Sequence, residues 1–151
     1  MSKVRILALA AAIIMPAEGL RQTVYFDPPG IPTICWGHTG PDVKPGQKWS
    51  MDQCKAALDK DMLIAYEIVK RCAPGAPDTV TAAFTSAVYN IGPTVACKST
   101  AANLLAAANY RAACDQLPRW NKSRVAGVLV ELPGLTKRRA AEQKLCLSGI
   151  T

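Results

Sequence analysis

The sequence predicts an α+β fold, mostly α, with a small β-hairpin lobe and a larger helical lobe. Three observations carry that prediction. Capping residues and apolar stripes at helical spacing recur from Ser50 to the C-terminus. One short strand–turn–strand pattern lies before them, around Pro29-Gly30. An uncharged run from Ile6 to Met15 precedes that hairpin. The chain has 151 residues, which fits one domain over residues 1–151. Within it we expect an N-terminal helix over 4–17, a β lobe over about 19–49 and a helical lobe over about 51–151.

The N-terminal run follows Lys3-Val4-Arg5 and ends at Pro16-Ala17-Glu18. A basic start and an apolar stretch also describe a secretory signal. Only Ala17 suits a signal peptidase site, so an uncleaved core helix is the favoured reading, with Glu18 at its C-terminal end. The span Ile6–Ala17 covers about 18 Å as a helix. A bilayer core is about 30 Å thick, so the segment is too short for a stable anchor. Being apolar on all sides, it is expected to bury most of its faces.

Thr23-Val24-Tyr25-Phe26 and Ile31-Pro32-Thr33-Ile34-Cys35-Trp36 form the hairpin, with Pro29-Gly30 as the central pair of a type II turn. Pro32 keeps the second strand at an edge. Ser50-Met51-Asp52-Gln53 is a capping box opening a helix that ends before Pro74. Its stripe runs Cys54, Leu58, Met62, Ala65, Val69, Cys72. Asp78 can cap a helix to about Asn90, Ser99 one through Ala108, and Asn109 a shorter one through Leu117. A last helix spans about Thr136 to Leu147, stopped by Gly149. No element is assigned between Leu117 and Thr136.

Composition narrows the function. Half the residues are apolar and 19% are charged, which excludes a disordered chain. No apolar run reaches the roughly 18 residues of a membrane span. Repeats and heptads are absent, which excludes solenoids and coiled coils. Six cysteines occur without a Cys-x-x-Cys pair, and His38 is the single histidine. A zinc site therefore lacks its ligand set, and we expect neither metal nor cofactor. Disulfides and an oxidising compartment fit better than six buried thiols. Cys54 and Cys72 share a helix face but stand about 27 Å apart, so they cannot bond each other. That strikes out three of the 15 possible pairings and leaves the rest open. A net charge of +7 suits an anionic surface such as wall polymer or lipid headgroups. The basic residues are scattered apart from Lys137-Arg138-Arg139, and no nucleic-acid motif accompanies them, so no nucleic-acid partner is expected.

Among the acidic residues Glu18 stands out by position. At the end of an apolar run its carboxyl is partly withdrawn from water, which suits a proton donor. Asp27 sits at the hairpin turn, where Asp is common for local reasons. Thr33 lies on the returning strand. Each has an ordinary structural explanation taken singly.

Together they form a pattern. The set Glu18-Gly19-Leu20-Arg21, Tyr25-x-Asp27, Gly30 and Thr33-Ile34-Cys35-x-Gly37-His38-Thr39 resembles the phage-type lysozymes, the endolysin muramidases. The intervals agree too: nine residues from Glu to Asp and six more to Thr. The likeness continues through Tyr89-Asn90-Ile91-Gly92, Ser99-Thr100, Pro118-Arg119-Trp120-Asn121, Gly134-Leu135 and Arg138-Arg139-Ala140-Ala141-Glu142. It covers nearly the whole chain. The chain departs from the family pattern at Ala17, at the stiff turn Asp27-Pro28-Pro29-Gly30, at Pro32 and across Lys122–Glu131.

The resemblance implies a lysozyme-like fold and hydrolysis of the β-1,4 bond between N-acetylmuramic acid and N-acetylglucosamine in bacterial peptidoglycan. Glu18 would protonate the leaving oxygen, while Asp27 and Thr33 would order or activate the attacking water. Inverting chemistry of this kind places its carboxyls roughly 6.5–9.5 Å apart, with room for water. Asn90 and His38 would line or brace the cleft, His38 more as a hydrogen-bonded brace than as a catalyst. Arg138 or Arg139 would hold Glu18. The cysteine pairs of related endolysins suggest Cys35–Cys54, Cys72–Cys97 and Cys114–Cys146. Related endolysins can carry a weakly hydrophobic N-terminal segment that is exported, leaves the membrane and joins the fold. A transient inner-membrane contact through 4–17 follows, with synthesis in the bacterial cytoplasm and action in the periplasm or outside the cell. A monomer is expected. The competing readings are a non-catalytic lysozyme-like module that binds peptidoglycan or a partner, and a basic protein that disrupts membranes by charge alone.

Overall fold

The computed structural model describes residues 3–150; Met1, Ser2 and Thr151, the outermost positions of the expected domain, lie outside the described residues. Helix α1 runs Lys3–Glu18. It buries one stripe, Ile6, Ala10 and Ile14, four residues apart. Leu7, Leu9, Ala11, Ile13 and Met15 beside it are partly buried, so the expected burial on most faces is partial and one side stays exposed. Ala8, Ala12 and Ala17 face water beside the exposed Val4, and each exposes little apolar area. No helix among the described residues is long and apolar enough to cross a membrane.

Strands β1 (Arg21–Phe26) and β2 (Pro32–Cys35) form the expected antiparallel hairpin, with Tyr25 opposite Thr33 and Phe26 opposite Pro32. The turn is placed one residue earlier than expected. Gly30 N–H donates to the Asp27 carbonyl at 2.8 Å, so Pro28 and Pro29 are the central pair. Neither proline has an N–H to lose, and Pro28 presets the φ of the first central position. On the far side of β1, Val24 and Trp49 N–H groups bond the carbonyls of Gln47 and Gln22.

Helix α2 (Met51–Cys72) opens on the Ser50–Gln53 capping box, as its sequence predicts. Helix α3 (Asp78–Ile91) begins at Asp78, but Pro77 is its cap residue. A short helix α4 (Thr94–Cys97) follows. Ser99 caps α5 (Thr100–Ala106) by accepting from Ala102 N–H. Asn109 precedes α6 (Tyr110–Gln116) without a side-chain cap bond. Helix α7 (Pro133–Ser148) starts three residues before the expected Thr136. Pro133 lies in its first turn, where a missing N–H costs nothing.

Between Leu117 and α7 the structure holds a second hairpin absent from the sequence reading, β3 (Lys122–Val125) with β4 (Val128–Glu131). Its two-residue turn puts Ala126 at φ 51° and Gly127 at φ 81°. Asn-Gly or Asp-Gly marks such a turn in most sequences, and Ala-Gly does not.

Two apolar clusters hold these elements. One gathers α3, α4, α5, α6 and parts of α2 and α7 around Phe84, Val80, Val95 and Leu117. The other joins Ala10 and Ile14 of α1 to Ile34 and Cys35 of β2 and to Cys54, Leu58 and Met62 of α2. Helix α1 also packs along α3 and α7, and Tyr89 of α3 packs against both clusters. Three disulfides join Cys35–Cys54, Cys72–Cys97 and Cys114–Cys146, the pairs that the resemblance implies.

Candidate active site

Glu18 is the last residue of α1. Gly19 stops the helix with φ 72° and returns its N–H to the Met15 carbonyl at 3.0 Å. Glycine takes this left-handed conformation at no steric cost. The Glu18 side chain is 20% exposed, and Arg138 Nη1 of α7 donates to its Oε2 at 2.6 Å. The sequence left Arg138 and Arg139 as equal candidates for this role. Arg139 turns the other way: its Nη2 donates to Asn90 Oδ1 at 2.8 Å and to Glu142 Oε2 at 2.9 Å. Asn90 thereby has its amide oxygen engaged, beside a cavity of about 640 Å³ that it shares with Glu18, Leu132, Leu135 and Arg138.

Asp27 and Thr33 stand at the hairpin's closed end, each bonded to Ile31. Asp27 Oδ1 accepts from Ile31 N–H at 2.7 Å, and the buried Thr33 hydroxyl donates to the Ile31 carbonyl at 2.8 Å. Among the described residues no hydrogen bond joins either to Glu18. Tyr25 senses both carboxylates. Burial pushes its phenol above the ordinary value, Glu18 and Asp27 push it further, and Arg21, stacked 4.5 Å over the ring, opposes them.

His38 is buried between two carboxylates. Its Nδ1 lies 2.6 Å from Asp61 Oδ2 of α2, and its Nε2 lies 3.1 Å from Asp42 Oδ2. The ring leans on Trp49 at 5.5 Å. This is a brace tying the hairpin loop to α2. Burial alone lowers the imidazole's pKa, but the hydrogen bonds to Asp61 and Asp42 outweigh it, and the net shift is upward. A raised pKa means that the fold favours the protonated ring. Its contribution is complete below the unfolded value of about 6.5 and is lost as pH rises through the folded value. His38→Asn should therefore cost stability most at about pH 5.5 and least above the folded value; removing a charged hydrogen-bond partner is worth about 1–3 kcal/mol. Urea denaturation of both proteins across that window checks it; a gap that widens at high pH contradicts it.

Several residues of the site escaped the sequence reading as site residues. Gly37 is one. A Cβ built there would sit 2.8 Å from Glu18 Oε1, and its φ of 78° is left-handed. The hairpin loop thus presses bare backbone against the carboxyl. Gly37→Ala should displace Glu18 and lower kcat about 10- to 100-fold, as misplacement of a reacting group does. Near-wild-type kcat in the folded variant would show that the contact is dispensable. Tyr89 is another: its hydroxyl donates to the Trp36 carbonyl at 2.6 Å and locks α3 to the same loop. Burial pushes this phenol far above its ordinary pKa, so it stays a donor. Asp61, Ser86 and Glu142 complete the set. Gly37, Tyr89 and Glu142 all stood inside motifs quoted above; their roles needed three-dimensional neighbours.

The structure thus sets a partly buried carboxyl, held by an arginine, where the hairpin lobe meets the helical body. The phage lysozyme family model matches residues 15–142. A SAR-endolysin of bacteriophage PS119 is 38% identical over 133 residues, covering 87% of this chain and 77% of that protein. The crystal structure of the active form of P1 phage endolysin Lyz superposes with a TM-score of 0.83 at 28% identity, covering 95% of this chain and 85% of that one. An endolysin from Escherichia coli O157:H7 phage FAHEc1 gives 0.84 at 30% identity, over 94% and 92% of the two chains. Family and fold together define a glycoside hydrolase of the muramidase class. The chain belongs to the phage lysozyme family and is an endolysin muramidase.

Proposed function

We propose that this protein works as one catalytic unit that hydrolyses the β-1,4 bond between N-acetylmuramic acid and N-acetylglucosamine in bacterial peptidoglycan, with inversion at the anomeric carbon. Glu18 is the general acid that protonates the leaving glycosidic oxygen. Asp27 and Thr33 order and activate the water that attacks from the opposite face. The observation that carries this reading is the fixing of the Glu18 carboxyl, with Arg138 on one oxygen and the Gly37 backbone against the other. Arg138 also favours the carboxylate left behind once the proton has gone. Asn90 and His38 support this arrangement, one through Arg139 and the other through α2.

The protein acts as a monomer in the periplasm or outside the cell after synthesis in the cytoplasm. Its three disulfides and its net charge of +7 suit an oxidising compartment and an anionic wall. Transient contact with the inner membrane runs through residues 4–17, whose exposed side beyond Arg5 is apolar and small. The cleavage site is tested by digesting purified peptidoglycan, reducing the new ends with borohydride and identifying them by mass spectrometry. Reduced muramic acid is expected. Reduced glucosamine ends would assign the cut to the other bond, and no new ends would leave a wall-binding module.

A further inference from the structure

Behind Glu18 lies a cluster of charges almost wholly withdrawn from solvent. Glu142 and Arg139 are both 0% exposed, and the Arg138 side chain is 4% exposed. Arg139 Nε stands 2.6 Å from Glu142 Oε1, an ion pair whose N–H is poorly aligned for a hydrogen bond, while Nη2 bonds Oε2 at 2.9 Å. Ser86 Oγ of α3 donates to the same Oε2 at 2.6 Å. That oxygen also lies 3.6 Å from Arg138 Nε, which has no hydrogen bond of its own.

Stability is a weak reason for such an arrangement. Buried ion pairs pay a desolvation cost that apolar residues of similar volume avoid, and replacing them is often neutral or favourable. The cluster does have a geometric consequence. The Arg138 guanidinium is engaged on each side: Nη1 to Glu18 at 2.6 Å, Nη2 to the Ser86 carbonyl at 3.4 Å, and Nε toward Glu142. Spacing on α7 produces this, since residues three and four apart share a face and Glu142 meets both arginines.

We propose that Glu142 is a positioning residue for the glycosidic reaction: its buried carboxylate, seated by Ser86 and Arg139, fixes the Arg138 guanidinium, which in turn fixes the Glu18 carboxyl. The proposal rests on the reading of Glu18 as the acid. Without Glu142, Arg138 keeps its charge and loses its anchor on the Nε side. Glu18 then samples positions away from the leaving oxygen, and its distance from the Arg138 charge is no longer fixed. The other titratable groups that act on this region are Tyr25 of β1 and Tyr89 of α3, with Asp61 of α2 beyond Tyr89 and Arg139 behind Arg138. None of them holds the Arg138 Nε edge.

The test uses the full chain on soluble peptidoglycan fragments. Glu142→Gln should lower kcat about 10-fold or more, leave KM within about twofold, and move the pH profile of kcat. Because Arg139 would keep an unmatched buried charge, Arg139→Met with Glu142→Leu is made as well. That double variant removes both charges and should regain thermal stability while kcat stays low and the pH profile stays displaced. Wild-type kcat and pH profile in folded Glu142→Gln would overturn the proposal. So would a double variant that regains activity along with stability, because the cluster would then be structural alone. Glu18→Gln is measured beside them with Glu142 intact. Activity retained there would overturn the acid assignment, and is distinguishable from failure at Glu142.

Discussion

Glu18→Gln should lose nearly all muramidase activity. General acid assistance is worth about 10²–10⁴ in rate, and an amide cannot supply the proton. The substitution preserves volume at a position where space is tight, since Arg138 bonds the side chain and Gly37 leaves no room for a Cβ beside it. The fold should therefore persist, and the loss should fall on kcat with little change in KM. A turbidity assay on purified wall material, wild type beside variant, measures it, with circular dichroism as the check on folding. More than a tenth of wild-type activity in the folded variant would remove Glu18 from the role of acid. Full killing of cells by the variant would instead point to membrane disruption by charge alone.

The second large effect concerns the clamp on α7. Cys114 of α6 and Cys146 of α7 are both fully buried, and their disulfide closes a separation of 32 residues. In the chain-entropy model a loop of that length is worth about 4 kcal/mol, a large share of the roughly 5–15 kcal/mol of a whole domain. Cys114→Ala with Cys146→Ala should lower stability by about that amount in urea denaturation. Helix α7 also carries Arg138, Arg139 and Glu142, so activity should fade at lower temperature than in the wild type. Stability within about 1 kcal/mol of wild type, well under the expected loss, would mean that the packing of α6 and α7 already restricts the unfolded chain.

The helices with local signals were legible. Ser50 and Gln53 cap α2, Ser99 caps α5, and the stripe from Cys54 to Val69 is buried as spaced. Hairpin β1–β2 was readable from its β-formers, but its turn was not, because two prolines before a glycine offer two registers. The β3–β4 hairpin escaped because Ala126 sits at a positive φ without the usual turn residues. Helix α1 was placed within a residue at each end, yet its burial was overstated: an alanine-rich surface reads as hydrophobic and exposes little.

At the site, Glu18 was legible from its place at the end of an apolar run, and Asp27 and Thr33 only through a family pattern. Which of two adjacent arginines meets Glu18 depends on helical phase relative to α1 and α3, which no local spacing records. The same holds for Gly37, where an added Cβ would come within 2.8 Å of the carboxyl of a residue 19 positions earlier. Cysteine geometry excluded one pair within α2 but could not choose among the rest. Buried Glu142 was the hardest to read, since an Arg-Arg-x-x-Glu run on a helix ordinarily describes a solvated face.

The central claim is that Glu18 delivers a proton from one side of the scissile bond while water held by Asp27 and Thr33 attacks from the other. The anomeric configuration of the first product reports this directly. Proton NMR of a soluble glycan fragment, recorded before mutarotation, should show the α-anomer appearing first and the β-anomer growing in later. Initial release of the β-anomer would contradict the account and place a covalent, retaining route at this site.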